Sequence, residues 1–391
     1  MVASSRPRSI VLTGGKGYLG GLIAASLLRD DTVGIVALVR PGVALAAFIE
    51  PIRAELEAQG GRFEAEYLDR IRLVELPPVE AFASLDKVVR ESGADEIVHC
   101  AGCLDYFDRA ALETVNIALT RALLEQSRRW GLRRFVYLST AFSSGYIDGP
   151  VREVLHDEAA NDPTDYTRTK RLAERLVAAS GIPFLIIRPS IVIGDSRDGH
   201  YSGKRYGLYQ LWSGIERLLC REWHPEIHAL GARQPVVLVH QDAFQNAFLA
   251  AFRLLPDDSI FNLVSARDSS PTMRQLWDLW MRDVLRPRAT YYYDRMADIP
   301  LRKLNSRQRA LLALASVNLE IASHPWQFET TTLGWLRQRG LHFLDATFES
   351  VAVCQRLFVD SSEPIQAFFD ANRQQLADRS EAFDVDVPIG P

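Results

Sequence analysis

Short apolar runs alternate with longer amphipathic stretches through the first half of the chain, the pattern of a parallel sheet covered by helices on both faces. The runs Ser9 to Thr13, Val33 to Val39, Ile71 to Glu75, Glu96 to Cys100, Arg134 to Ser139 and Phe184 to Ile187 predict buried strands. Between them, Tyr18 to Arg29, Val43 to Glu57, Val79 to Glu91, Ala110 to Trp130 and Tyr166 to Ala179 predict helices; the last is apolar at Leu172, Ala173, Leu176 and Val177. Past Asp195 the alternation gives way to an aromatic and basic stretch, His200 to Arg221, where a second lobe is expected to begin. Val236 to Val239 and Ile260 to Val264 read again as strands flanking a helix at Asp242 to Leu254, so the chain is expected to return to the first lobe. The expected division is 1–195 with 236–266 for the sheet lobe, and 196–235 with 267–391 for a smaller, mostly helical lobe.

Composition narrows the function classes. In 391 residues, 45 basic side chains face 49 acidic ones, a net charge of -4 that gives no footprint for gripping nucleic acid. Four cysteines without pairing-like spacing do not predict a disulfide framework. Nowhere do about 18 apolar residues run unbroken, so no stable membrane insertion is expected, and the chain reads as soluble and cytoplasmic.

Directly after the first strand comes Thr13-Gly14-Gly15-Lys16-Gly17-Tyr18-Leu19-Gly20, with Gly14, Gly17 and Gly20 three apart and a helix following. Missing side chains permit a tight turn, close approach of backbone to a pyrophosphate and close packing of helix on strand. Strand before and helix after favour a Rossmann-type dinucleotide site over a glycine-rich turn without a ligand. The second strand ends in Arg40, where an acid would select the unphosphorylated cofactor. A guanidinium suits a ribose 2'-phosphate and favours NADPH; the competing reading is an exposed strand-end arginine.

Tyr166 and Lys170 stand four apart, one turn apart on one helix face. A phenol is a poor acid-base group at neutral pH, and a neighbouring ammonium and the positive nicotinamide favour its anion. Thr140 precedes Tyr166 by 26 residues at the carboxyl end of the fifth strand, where its hydroxyl would face the ligand crevice. For Ser139 a turn hydroxyl is the preferred reading.

Together these residues resemble the extended short-chain dehydrogenase/reductases. The likeness rests on Thr13 to Gly20, Val98-His99-Cys100-Ala101-Gly102, Asn116 in Val115-Asn116-Ile117, Ser139-Thr140, Tyr166 with Lys170, and Arg188-Pro189, over roughly residues 9 to 265. Tyr137 to Ala141 and Arg188 to Arg197 look most like the thioester reductase and fatty acyl reductase ("male sterility") branch. Lys16 departs from the group's usual small residue, and Val74-Glu75-Leu76-Pro77 lacks the aspartate that commonly reaches the adenine.

The resemblance implies hydride transfer from NADPH to the carbonyl carbon of an acyl thioester, with thiol loss leaving an aldehyde that such sites sometimes reduce to an alcohol. Thr140 would stabilise the oxygen, Tyr166 would give its proton, Lys170 would hold the nicotinamide ribose, and Asn116 would support the site through a proton-relaying water. Besides the glycine turn and Arg40, the implied cofactor contacts are Cys100, Ala101, Gly102, Ser139, Tyr166, Lys170, Arg188, Pro189 and Ile191. The glycine turn arrives within the first 20 residues, so the thioester is expected from a separate carrier protein or from CoA. Basic pairs at Arg128-Arg129, Arg133-Arg134 and Lys204-Arg205 read as a docking face for an acidic carrier or as solvated surface. The competing readings are an extended-family ketone or beta-keto acyl reductase, a nucleotide-sugar epimerase, and a non-catalytic NADP sensor.

Other signals carry less. Cys100-Ala101-Gly102-Cys103 is half of a zinc pattern and reads as small loop residues. His99 reads as a strand-end packing residue. Tyr206, Tyr209 and Trp212 read equally as an acyl pocket or as core. The amphipathic run Leu301 to Leu319 reads as lobe packing.

Overall fold

A computed structural model describes residues 8–157, 161–203 and 205–377. Lys204 of the expected basic pair and the outermost ends of both expected lobes lie outside them.

Six strands, β1 (Arg8–Thr13), β2 (Val33–Val39), β3 (Ile71–Glu75), β4 (Glu96–His99), β5 (Arg134–Leu138) and β6 (Phe184–Pro189), join Ser259–Leu263 in one parallel sheet. Their order is Ser259–Leu263, β6, β5, β4, β1, β2, β3. Every residue of β2, β4, β5 and β6 is buried, which is why they read as continuous apolar runs rather than alternating ones. Ile10, Leu12, Ile35 and Ala37 point into a core beneath the helices Tyr18–Leu28, Leu45–Ala58 and Gln241–Leu254. Val11, Val36, Leu38 and Tyr137 point the other way, under Leu119–Trp130 and Asp165–Ala178.

The chain winds outward from β1 through β2 to β3, then crosses back to β4 and continues through β5 to β6. The reversal between β1 and β4 opens a crevice at their carboxyl ends, where ligands bind in such sheets. Thr13, His99 and Tyr137 lie in register across β1, β4 and β5, so the glycine turn and the loops after β4 and β5 reach one edge together.

Several expected elements take other forms. Val79–Leu85 is a 3-10 turn leading into a helix at Asp86–Ser92, and the long helix after β4 contains a π turn at Glu113–Ala118. The returning strand is Leu238–His240, and it pairs with Ile191–Ile193 outside the main sheet. The second lobe has its own core around Trp212, Trp277 and Trp280. Thr331–Arg337, within the stretch expected to belong to that lobe, instead buries Leu333 and Leu336 in the first lobe's core, joined by Phe343.

Candidate active site

The glycine turn is held by backbone contacts that leave no space for side chains. Gly14 has φ +73°, a left-handed conformation that favours glycine. A Cβ there would lie 2.5 Å from the Ala101 nitrogen, and one on Gly20 would lie 2.1 Å from the Gly14 oxygen. Gly17 opens the helix Tyr18–Leu28 with no side-chain cap, leaving first-turn N–H groups for an anion. Gly15 packs on Phe48, Leu19 on the first core, and Lys16 is exposed. The Tyr18 hydroxyl donates to Gln241 Oε1 at 3.1 Å, so Tyr18 anchors the helix with its ring and offers a phosphate only its backbone. Gly20→Ala is expected to lower the unfolding free energy by about 1–3 kcal/mol in a urea titration, because the methyl has only backbone to displace; unchanged stability would contradict the packing.

Arg40 is exposed at the end of β2 and has no side-chain partner among the described residues. Glu75, where an adenine-contacting aspartate was absent from the sequence, accepts from Gly42 N at 2.8 Å and fastens the turn after Arg40. An open helix N-terminus, a turn without side chains and an unpaired guanidinium fit a phosphorylated dinucleotide.

The helix Asp165–Ala178 starts on a capping box between Thr164 and Thr167, which fixes its first turn and Tyr166 with it. One turn on, Lys170 is buried, donates from Nζ to the Leu138 carbonyl at 2.5 Å, and lies 4.1 Å from the centre of the Tyr137 ring. Burial pulls its pKa down to about 8, against the opposing influence of Cys100 and Glu174. Tyr166 is partly buried, its ring 5.8 Å from that of Tyr106. Its pKa is raised, chiefly by burial and further by Tyr106, Cys100 and Cys103. Burial therefore opposes the easing toward the anion that was expected of this phenol. Thr140 is buried at the start of the turn Ala141–Ser144, where its oxygen accepts from Phe142 N at 3.4 Å and its own proton is left for another acceptor.

Other expected site residues are occupied elsewhere. Asn116 lies in the π turn; its Oδ1 accepts from Cys103 N at 2.8 Å, and Nδ2 donates to Thr169 Oγ1 at 3.0 Å and to Cys103 O at 3.3 Å. Both amide protons are used, so Asn116 ties the Cys100–Cys103 loop to the Tyr166 helix instead of donating to a relay water. Arg188, expected at the cofactor, is fully buried and bonds Glu174, the Arg152 and Val154 carbonyls and His156. It has no donor to turn toward a phosphate. The Ser139 hydroxyl is likewise given to Glu174. Pro189 ends β6, and Ile191 packs on the second lobe's core. Ala101 donates its N–H to Thr13 Oγ1 at 3.3 Å, beside Gly14, and Gly102 lies against Asn116. Burial pushes the Cys100 thiol up to about 12, and no cluster among the described residues could hold a metal. His99 bonds Thr13 and Thr120, and burial drives its pKa down to about 3.

Tyr209 and Trp212 are core residues and Tyr206 is exposed. Leu311, Leu312, Ala315 and Leu319, in the helix Ser306–Ser323 that covers most of the expected amphipathic run, are buried in the second lobe. A cavity of about 650 Å³ runs between Tyr201, Tyr209 and Phe358, and Thr140, Tyr166 and Lys170 are not among its walls. No helix among the described residues is long and apolar enough to cross a membrane. Glu174, which gathers Ser139 and Arg188, went unread in the sequence, although it stands one turn beyond Lys170 on the same face.

Comparison with known proteins places the chain by sequence and by fold. The chain is 23% identical over 366 residues to the fatty acyl-CoA reductase wat of Drosophila melanogaster, covering 83% of this chain and 66% of that protein. It is 27% identical over 227 residues to a putative fatty acyl-CoA reductase, CG8306, of the same fly, covering 47% of this chain and 43% of that protein. It thus spans less than two thirds of the length of these relatives. In fold it matches the terminal R domain of the myxalamid PKS-NRPS pathway with TM-score 0.71 at 20% identity, over 92% of both chains. A thiolation-reductase di-domain from an archaeal non-ribosomal peptide synthetase gives TM-score 0.66 at 20% identity, over 93% of this chain and 76% of that one. The sequence profile of the male sterility protein family matches residues 12–242. That stretch is more than half of the chain and runs from the end of β1 past Tyr166 and Lys170, and the chain belongs to the male sterility protein family.

Proposed function

We propose that this protein is an NADPH-dependent reductase of an acyl thioester, presented by CoA or by a separate carrier protein, and that it acts in the cytoplasm. The observation that carries the reading is the gathering of Thr140, Tyr166 and Lys170 around the carboxyl ends of β4 and β5, beside the uncapped glycine turn. Gly14 to Gly20 and Arg40 would hold the phosphates and Lys170 the nicotinamide ribose. Bound NADPH supplies the hydride. The Thr140 hydroxyl, with its proton unused, donates to the substrate oxygen as negative charge develops there. Tyr166, kept protonated by burial, donates beside it, and departure of the thiol leaves the aldehyde. Exchange of the spent cofactor for a second NADPH would supply the further hydride that an alcohol product requires.

A panel of acyl-CoA and acyl-carrier thioesters, aldehydes and ketones, followed by loss of nicotinamide absorbance and by product analysis, tests this. Thioester-dependent oxidation of NADPH with aldehyde or alcohol formed is expected; oxidation with ketones alone would transfer the site to a ketone reductase. Arg40 carries a second expectation. A charge-assisted bond to the 2'-phosphate contributes about 1.5–3 kcal/mol, so NADPH binds roughly 10–100-fold more tightly than NADH in calorimetry, and Arg40→Ala removes the difference. Equal affinities in the parent protein would overturn the preference.

A further inference from the structure

Glu174 is fully buried and uses its carboxylate to join three elements. Its Oε1 accepts from Ser139 Oγ, from Ser143 Oγ at 2.9 Å and from Arg188 Nε at 3.0 Å, and its Oε2 accepts from an Arg188 terminal nitrogen at 2.6 Å. Arg188 neutralises the charge, and the two serines bracket Thr140. Two neighbours on the same helix add to the grip, since Lys170 bonds the Leu138 carbonyl and Arg171 bonds the Ser143 carbonyl at 3.1 Å. The Thr140 side chain makes only the 3.4 Å contact with Phe142 N among the described residues, and its carbonyl accepts from Ser143 N at 3.1 Å within the same turn. Its place relative to Tyr166 is thus set by what holds the residues on either side: Ser139 N bonds the Ile187 carbonyl of β6 at 2.8 Å, and the side-chain holds come from the helix that carries Tyr166.

We propose that Glu174 is a positioning residue: through Ser139 and Ser143 it registers the turn bearing Thr140 against the Tyr166 helix, so that the two hydroxyls meet one substrate oxygen. The substrate in this statement is that of the reductase reading above, whereas the clamp exists with or without turnover. Arg188 serves it twice, as counter-charge and as a strap to the Arg152 and Val154 carbonyls.

Glu174→Gln is a poor probe, because it strands the buried Arg188 charge and threatens the fold. The double change Ser139→Ala with Ser143→Ala leaves the ion pair whole and cuts only its links to the turn. Two measurements on the full chain read it. Hydrogen exchange of a peptide spanning 139–145 is expected to quicken about tenfold, and kcat to fall about 10–100-fold with KM for NADPH within about threefold, as misplaced donors lose orientation rather than binding. Unchanged exchange overturns the clamp even if the parent proves inactive on every thioester, an outcome that would separately end the reductase reading. Quickened exchange with parental kcat overturns the link from clamp to catalysis.

Discussion

Tyr166→Phe is expected to lower kcat by about 10²–10⁴-fold while leaving NADPH affinity within about twofold. The change removes one hydroxyl and keeps the ring that packs against Tyr106, so neither the helix nor the loop after β4 has reason to move. What it removes is the hydroxyl proposed as the proton donor. Burial raises the pKa of this phenol and so favours its protonated form through the neutral range. That suits a group which gives a proton or hydrogen bond to a developing oxyanion, and it makes tyrosine ionisation an unsuitable source for any loss of activity near pH 8. Single-turnover hydride transfer and calorimetry on the same variant separate chemistry from binding. Full activity in the variant would show that the oxygen finds its proton elsewhere.

How much of this site was legible in the sequence depends on how far apart the interacting residues lie. The central strands could be read because burial on both faces writes itself as uninterrupted apolar runs, and Val33–Val39 falls where its run placed it; Ile71–Glu75, at the sheet edge with only Ile71 buried, was read from its position in the alternation. The glycine turn and the Tyr166–Lys170 pair were legible because each is local, with the chemistry and its spacing inside one element. The partners of Arg188 and Asn116 were not legible for the opposite reason. A motif shows that an arginine follows a strand, but not that a carboxylate 14 residues earlier, on the facing helix, will take its donors. Asn116 spends its amide on Cys103 and Thr169, the second of them 53 residues away. The upward push on the tyrosine's pKa was not legible because spacing reports a neighbour's charge while burial is a property of the whole fold. The helix Thr331–Arg337 docks on the first lobe through Leu333 and Leu336, and an amphipathic pattern does not name its partner.

Lys170 yields the second large effect and a pH dependence with a definite sign. Lys170→Met is expected to reduce kcat about 10²–10³-fold and to raise KM for NADPH about tenfold, since the ammonium would both hold the ribose and bias the site's field. The fold survives, because loss of a desolvated charge offsets loss of the bond to the Leu138 carbonyl, and Tm stays within about 5 °C. In the parent protein, turnover should decline as pH rises through about 8, where the buried ammonium gives up its proton. Stability responds in the other direction. The folded pKa of about 8 lies below the ordinary lysine value of 10.5, so between those values the unfolded chain binds more protons than the folded one. This residue's burial therefore costs stability fully below pH 8, and the cost is relieved as pH climbs toward 10.5. Denaturant titrations across that window should show the relief in the parent and not in Lys170→Met, alongside a kinetic limb near pH 8 present in the parent alone. A variant with parental kcat, or the same alkaline limb in both proteins, would remove Lys170 from the chemistry.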